Sequence, residues 1–166
     1  MQNHELFLSE YNKAMEKYLK VVRFTFGLAL MIAVGSVNAL FMTPRSEWFA
    51  SLSGMAIEGR THSVCWLVVY LITAVHIGEA TGGGPLKKCR PFLAGMVVLG
   101  SAWCFVFFRL HSMVGGLVLI FLCLFCVGFV FVCAVKRTKI TALLSASLLA
   151  WYLYLSVIHV YLAAVN

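Results

Sequence analysis

The sequence has no aspartate, and its acidic residues are six glutamates. Charged residues of both signs make up 11% of the 166 positions, where a soluble domain carries roughly 25%. That scarcity excludes an ordinary water-soluble globule. The 62% of hydrophobic residues and the mean hydropathy of +0.94 exclude intrinsic disorder, which requires low hydrophobicity. The only glutamate beside an apolar run is Glu79. With no carboxylate at mid-membrane, a carboxylate proton relay or ion pump has nothing to be built on, and an enzyme using its own acid–base groups is not expected. Glu79 itself is expected at the interface, solvated.

Five apolar runs are present: Phe24–Met42, Val64–Ile77, Phe92–Phe108, Met113–Val135 and Ile140–Val165. A spanning helix needs about 20 residues, within a range of about 17–25. The second run is short and extends through His62 and Ser63 at one end and Gly78 to Ala80 at the other. Continuous rather than alternating hydrophobicity excludes a β-barrel. The expected fold class is therefore all-α, a polytopic membrane protein with a bundle of five transmembrane helices. Residues 1–20 are polar and of mixed charge, with Leu6, Leu8, Tyr11, Met15, Tyr18 and Leu19 near helical spacing. They predict an amphipathic N-terminal extension, leaving 21–166 as a single five-helix domain. Neither a cleaved signal peptide nor a transit peptide is expected: the apolar run is too long, and Glu5, Glu10 and Glu16 have the wrong charge. Five spans cannot divide into equal halves, which argues against an inverted-repeat transporter.

The net charge of +7 is read by position. Lys13, Lys17, Lys20 and Arg23, then Lys87, Lys88 and Arg90, then Lys136, Arg137 and Lys139 fall on one side of a five-span protein. The other side holds Arg45, Arg60 and Arg109. This is the positive-inside pattern, not a nucleic-acid surface, and it puts the N-terminus inside and the C-terminus outside. A bacterial inner membrane and a eukaryotic organelle membrane both fit. Five of the six cysteines lie in apolar runs, and the Cys123-x-x-Cys126 pair has no further ligand at metal spacing. They read as small packing residues, and no metal site is expected.

Two predicted spans pair aromatic residues one turn apart, Trp66 with Tyr70 and Trp103 with Phe107, and a third sets Trp151 with Leu155 and Ile158 on one face. Separately they are core or interfacial aromatics. Together they can line a pocket for a flat apolar ligand. The 43–63 loop, with Trp48, Phe49 and Leu52, is the expected lid. His76 and His159 allow a second reading, a bis-His haem redox protein. Ala142, Ala146 and Ala150 allow a third, a structural or regulatory subunit or homodimer acting through close helix contacts.

The chain resembles the TspO family, the tryptophan-rich sensory proteins and the mitochondrial translocator protein or benzodiazepine receptor. Trp48-Phe49-Ala50-Ser51-Leu52 is similar to the family's W-Y-x-x-L. Trp66-x-x-x-Tyr70 is similar to W-x-x-L-Y, Ala102-Trp103 with Val106-Phe107-Phe108 to N-x-x-W-x-P-x-F-F, and Leu149-Ala150-Trp151 to P-Y-L-x-W. His159 stands where the family has Asn. The family's proline-rich P-x-W-x-P-P-x-W loop is replaced here by GMAIEGRTHSVCW, its third-helix Asn by Gly100, and a small pocket residue of its fifth helix by Leu155. No basic residue follows Tyr161 to complete a sterol-recognition pattern.

The resemblance implies binding of a porphyrin, haem or a sterol, for transport, sensing or tetrapyrrole handling, with no required cofactor. The ligand-binding candidates are Trp48, Trp66, Tyr70, Trp103, Phe107, Trp151, Leu155, Ile158 and His159. Membrane lipid, the small hydrophobic ligand and a second copy of the chain are the expected partners.

Overall fold

The computed structural model describes residues 2–42, 48, 51–52, 59–82 and 85–166, with side-chain surroundings for all of these except 2–7, 59–62 and 85. Five helices account for most of it: α1 (Gln2–Met42), α2 (Gly59–Thr81), α3 (Arg90–Phe108), α4 (Met113–Val135) and α5 (Lys139–Val165). Each has a segment long and apolar enough to cross a membrane. Around the bundle the order is α1, α2, α5, α4, α3. The pairs α1–α2, α3–α4 and α4–α5 pack most closely, α1 also meets α3, and α2 touches α3 and α5 only lightly.

The helix boundaries follow local chemistry. α2 runs until the glycines at 82–84, whose conformational freedom disfavours helix. A 3₁₀ turn, Pro85–Cys89, then leads into α3, which has Pro91 in its first turn, where the missing N–H has no intrahelical partner to lose. Ser112 caps α4 by accepting the Gly115 N–H at 3.1 Å, and Thr138 caps α5 by accepting that of Thr141 at 3.1 Å. Between α3 and α4 the chain turns tightly, with His111 in the left-handed region at φ 54°.

Two expectations change. The amphipathic extension and the first span are not separate, because α1 is one helix of 41 residues. Residues 2–26 contain no Gly or Pro, so nothing stops the helix where the hydrophobicity ends. At 1.5 Å per residue α1 is about 60 Å long, twice the hydrocarbon thickness, and its polar end projects beyond the membrane. The second span extends past its apolar run at both ends as expected but starts earlier than His62, at Gly59, which shortens the loop before it. Within that loop Trp48, Ser51 and Leu52 are described. Phe49 and the rest of the expected lid lie outside the described residues.

The packing is that of a protein dissolved in lipid. Ile32, Leu40, Val98, Val114, Ile140 and Leu143 face outward, while Asn38, Thr73, His76, Thr141, Ser145, Ser156 and His159 are buried. Glycine sets the closeness of α1 to α2. A Cβ on Gly27 would sit 2.5 Å from the Ala74 carbonyl oxygen, and one on Gly35 would sit 2.9 Å from the Tyr70 ring.

The cysteines divide in two. Cys65, Cys104, Cys123 and Cys126 are free thiols, three of them buried in the packing role expected of them. Cys89 and Cys133 form a disulfide, with Cα atoms 7.0 Å apart, which ties the 3₁₀ turn to the end of α4. Their 44-residue separation gives no sequence cue to the pairing.

Candidate functional site

At the end of the bundle nearest the 43–63 loop, the predicted aromatic residues form one connected cluster. Trp66 is its hub. Its ring lies 5.5 Å from Trp103 in a stack, 5.8 Å from Tyr70, and 6.1 Å from Trp151 edge-on. Trp103 stacks in turn on Phe107 at 5.7 Å. Phe107 receives Trp48 edge-on at 5.1 Å, and Trp48 stacks on His111 at 4.4 Å. Trp48 therefore seats on the tip of the α3–α4 hairpin. Three helices, α2, α3 and α5, and the first loop contribute to this cluster, and on α2 and α3 the aromatics stand one turn apart on the inward face.

The cluster is packed, not hollow. Trp103 and Phe107 are each 1% exposed, and Leu155, Ile158 and His159 are buried beside them in the same core. The Trp103 indole N–H donates to His159 Nε2 at 2.9 Å, and His159 Nδ1–H donates to the Leu155 carbonyl at 2.9 Å. His76 is engaged the same way. Its Nδ1 bonds the Ile72 carbonyl at 2.8 Å, and its Nε2 bonds the Ser145 hydroxyl across to α5. Both rings use both nitrogens. Moreover, Ser145 and His159 are about 21 Å apart along α5 at 1.5 Å per residue, so the histidines address opposite ends of the bundle. One iron cannot sit between them. Among the described residues no three His, Cys, Asp or Glu side chains converge as a metal cluster.

The open space lies beside the cluster, between α1 and α2. A groove of about 400 Å³ is lined by Gly35, Asn38, Met42, Ser63, Trp66 and Tyr70, with Ile32, Ser36, Ala39 and Leu67 at its rim. Behind it a second cavity of about 20 Å³ shares Asn38, Trp66 and Tyr70 and reaches Thr73, Gly100 and Tyr152. Asn38 stands between them, 3% exposed. Its Nδ2 donates to the Tyr70 hydroxyl at 2.9 Å, while its Oδ1 is buried without a partner among the described residues. An orphaned amide oxygen in an apolar wall costs about 1–3 kcal/mol. A ligand donor or a trapped water would recover that cost; the smaller cavity is about the size of one water.

Trp66 and Tyr70 are the predicted residues that line this groove. Trp103 and Trp151 touch it through Trp66, and Phe107, Leu155, Ile158 and His159 lie deeper. Trp48 does not line it and packs on Phe107 and His111 instead. Sequence reasoning missed Asn38 and Gly35. A signal existed for Asn38, the one side-chain amide inside the five apolar runs. Gly35 acquires meaning only once Tyr70 is known to lie across it.

The alanine stripe flanks α5, with Ala142 and Ala146 half-buried and Ala150 exposed to the outside. Glu79 is not simply solvated as expected. It is about one-third exposed and pairs with Arg137 at 2.9 Å, bridging α2 to the turn before α5.

No curated protein matches the chain significantly. The sequence model of the TspO/MBR family matches residues 27–164, from the first glycine of α1 to the last turn of α5, and the chain belongs to the TspO/MBR family.

Proposed function

We propose that this membrane protein binds a flat hydrophobic ligand, a porphyrin, haem or a sterol, in the groove between α1 and α2. The reading makes it a binding protein for transport, sensing or tetrapyrrole handling and not an enzyme. The basic end faces inward and the end with the groove faces outward, in a bacterial inner membrane or an organelle membrane.

The observation that carries it is the unpaired Asn38 Oδ1 in the wall of a 400 Å³ groove floored by Trp66 and Tyr70. The volume falls within the roughly 300–1,000 Å³ of small-molecule sites. Apolar walls with one or two convergent polar groups suit a ring system carrying a peripheral donor, such as a sterol hydroxyl or a protonated porphyrin propionic acid. The groove opens to the lipid side, so a membrane-dissolved ligand enters laterally. The Asn38–Tyr70 bond latches the groove's inner wall, and Gly35 lets Tyr70 lie flat against α1. Haem is held by its ring and not by iron ligation, since both buried histidines are engaged.

Tryptophan quenching by protoporphyrin IX in detergent tests the reading. Asn38→Leu is expected to weaken binding about tenfold, the loss of one hydrogen bond in an apolar site. Trp151→Leu, outside the groove, is expected to leave the affinity unchanged. Equal affinities in all three proteins contradict the proposal. The exposed Ala150 favours a competing reading, an assembly subunit or homodimer seated on α5. Under that reading Ala150→Leu disrupts association in cross-linking, and Asn38→Leu changes nothing.

A further inference from the structure

A second cleft lies at the opposite, basic end, and the ligand reading does not use it. It has a volume of about 230 Å³ and lies between the polar part of α1, the last turns of α2 and the α4–α5 turn. Lys20, Arg23, Gly78, Glu79, Gly82 and Arg137 shape it, and Phe24 and Val75 supply an apolar floor.

Its charges are unevenly satisfied. Glu16 is paired with Lys20 at 2.8 Å on the exposed surface of α1. Glu79 accepts from Arg137, but only from Nε. Among the described residues neither η nitrogen of Arg137 has a hydrogen-bond partner, and the Arg23 guanidinium makes no hydrogen bond or salt bridge, acting on Glu16 only through its charge. Three cations face two carboxylates, which leaves one positive charge and two guanidinium forks open. Glycine keeps the cleft clear. A Cβ on Gly82 would come within 2.9 Å of Arg23 Nη1, and Gly78 admits the α1 backbone at Phe24, 3.4 Å from where its Cβ would stand.

The height of the cleft identifies its occupant. Phe24 begins the apolar run of α1, α2 ends at Thr81 and α5 begins at Lys139, so the cleft sits where hydrocarbon gives way to headgroups. A free phosphate would meet the same guanidinium groups, yet has nothing to place on Phe24 and Val75. A diester with acyl chains satisfies both walls. We propose that this cleft binds the phosphodiester headgroup of an anionic membrane lipid, held by Arg23 and the η nitrogens of Arg137. Bidentate geometry makes arginine the suited residue, and basic pockets between helices at this level attract anionic headgroups.

Native mass spectrometry of the detergent-purified protein tests this, titrating phosphatidylglycerol against phosphatidylcholine, with inorganic phosphate in a separate arm. The wild type is expected to retain one phosphatidylglycerol with about tenfold preference over phosphatidylcholine. Arg23→Gln is expected to lower that preference several-fold and Arg23→Gln/Arg137→Gln to abolish it. The single variant breaks no bond among the described residues, so it stays informative if the double variant misfolds. Lys87→Gln/Lys88→Gln, equal in charge to the double variant but on the 3₁₀ turn, is expected to retain the preference. Three results overturn the proposal: preference unchanged in Arg23→Gln, equal loss in the Lys87/Lys88 control, or millimolar inorganic phosphate displacing the lipid.

Discussion

Trp103 on α3 donates its indole N–H to His159 Nε2 on α5 at 2.9 Å, with both side chains sealed in the core. The bond fixes the histidine as its Nδ1–H tautomer, because Nδ1 donates to the Leu155 carbonyl. It makes the aromatic cluster a structural joint between two helices that are not neighbours in sequence. His159→Leu strands the indole N–H, which costs about 1–3 kcal/mol. A lowered melting temperature in detergent is expected, with a smaller drop for His159→Gln, whose side-chain oxygen accepts in place of Nε2.

Haem added to the purified protein is expected to show no bis-His low-spin spectrum. His76 and His159 each have two hydrogen bonds to lose and stand at opposite ends of the bundle. The Soret band of bound haem should be the same in the wild type and in His76→Ala. A shift on removing His76 would show ligation and contradict the geometry.

The α1–α2 contact predicts a contrast between two glycines. Gly27→Val puts carbon against the Ala74 carbonyl at 2.5 Å, and overpacking of this kind costs about 1–3 kcal/mol. Gly128 on α4 has nothing within 4 Å of its missing Cβ, so Gly128→Ala is expected to be neutral or slightly stabilising. Thermal unfolding of both variants reads the difference.

Thiol counting checks the Cys89–Cys133 link. Alkylation after denaturation is expected to modify Cys65, Cys104, Cys123 and Cys126 without reductant, and all six cysteines with it. Peptide mapping that finds Cys89 alkylated in the unreduced sample would contradict the pairing.

The spans were legible because lipid demands continuous apolar helix, and α4 runs from Met113 to Val135, matching its apolar run residue for residue. The length of α1 was not, since hydropathy marks where lipid ends and says nothing about where a helix ends. Trp66, Tyr70 and Trp103 were legible as residues that meet. Their spacing could not say whether they enclose a hole or fill it, because a packed core and a pocket wall share the same periodicity. The groove depends instead on Asn38 and Gly35, an amide and a missing side chain, whose meaning comes from Tyr70 across the helix interface.

Ligand protection of a thiol in the groove tests the location most directly. Ser36→Cys lines the groove, and Val118→Cys faces outward from α4. With protoporphyrin IX at ten times its Kd, the N-ethylmaleimide reaction of Ser36→Cys is expected to slow about tenfold, following 1 + [L]/Kd. Val118→Cys should react at its original rate. Two thiols slowed alike, or neither slowed at saturating ligand, would contradict a binding site between α1 and α2.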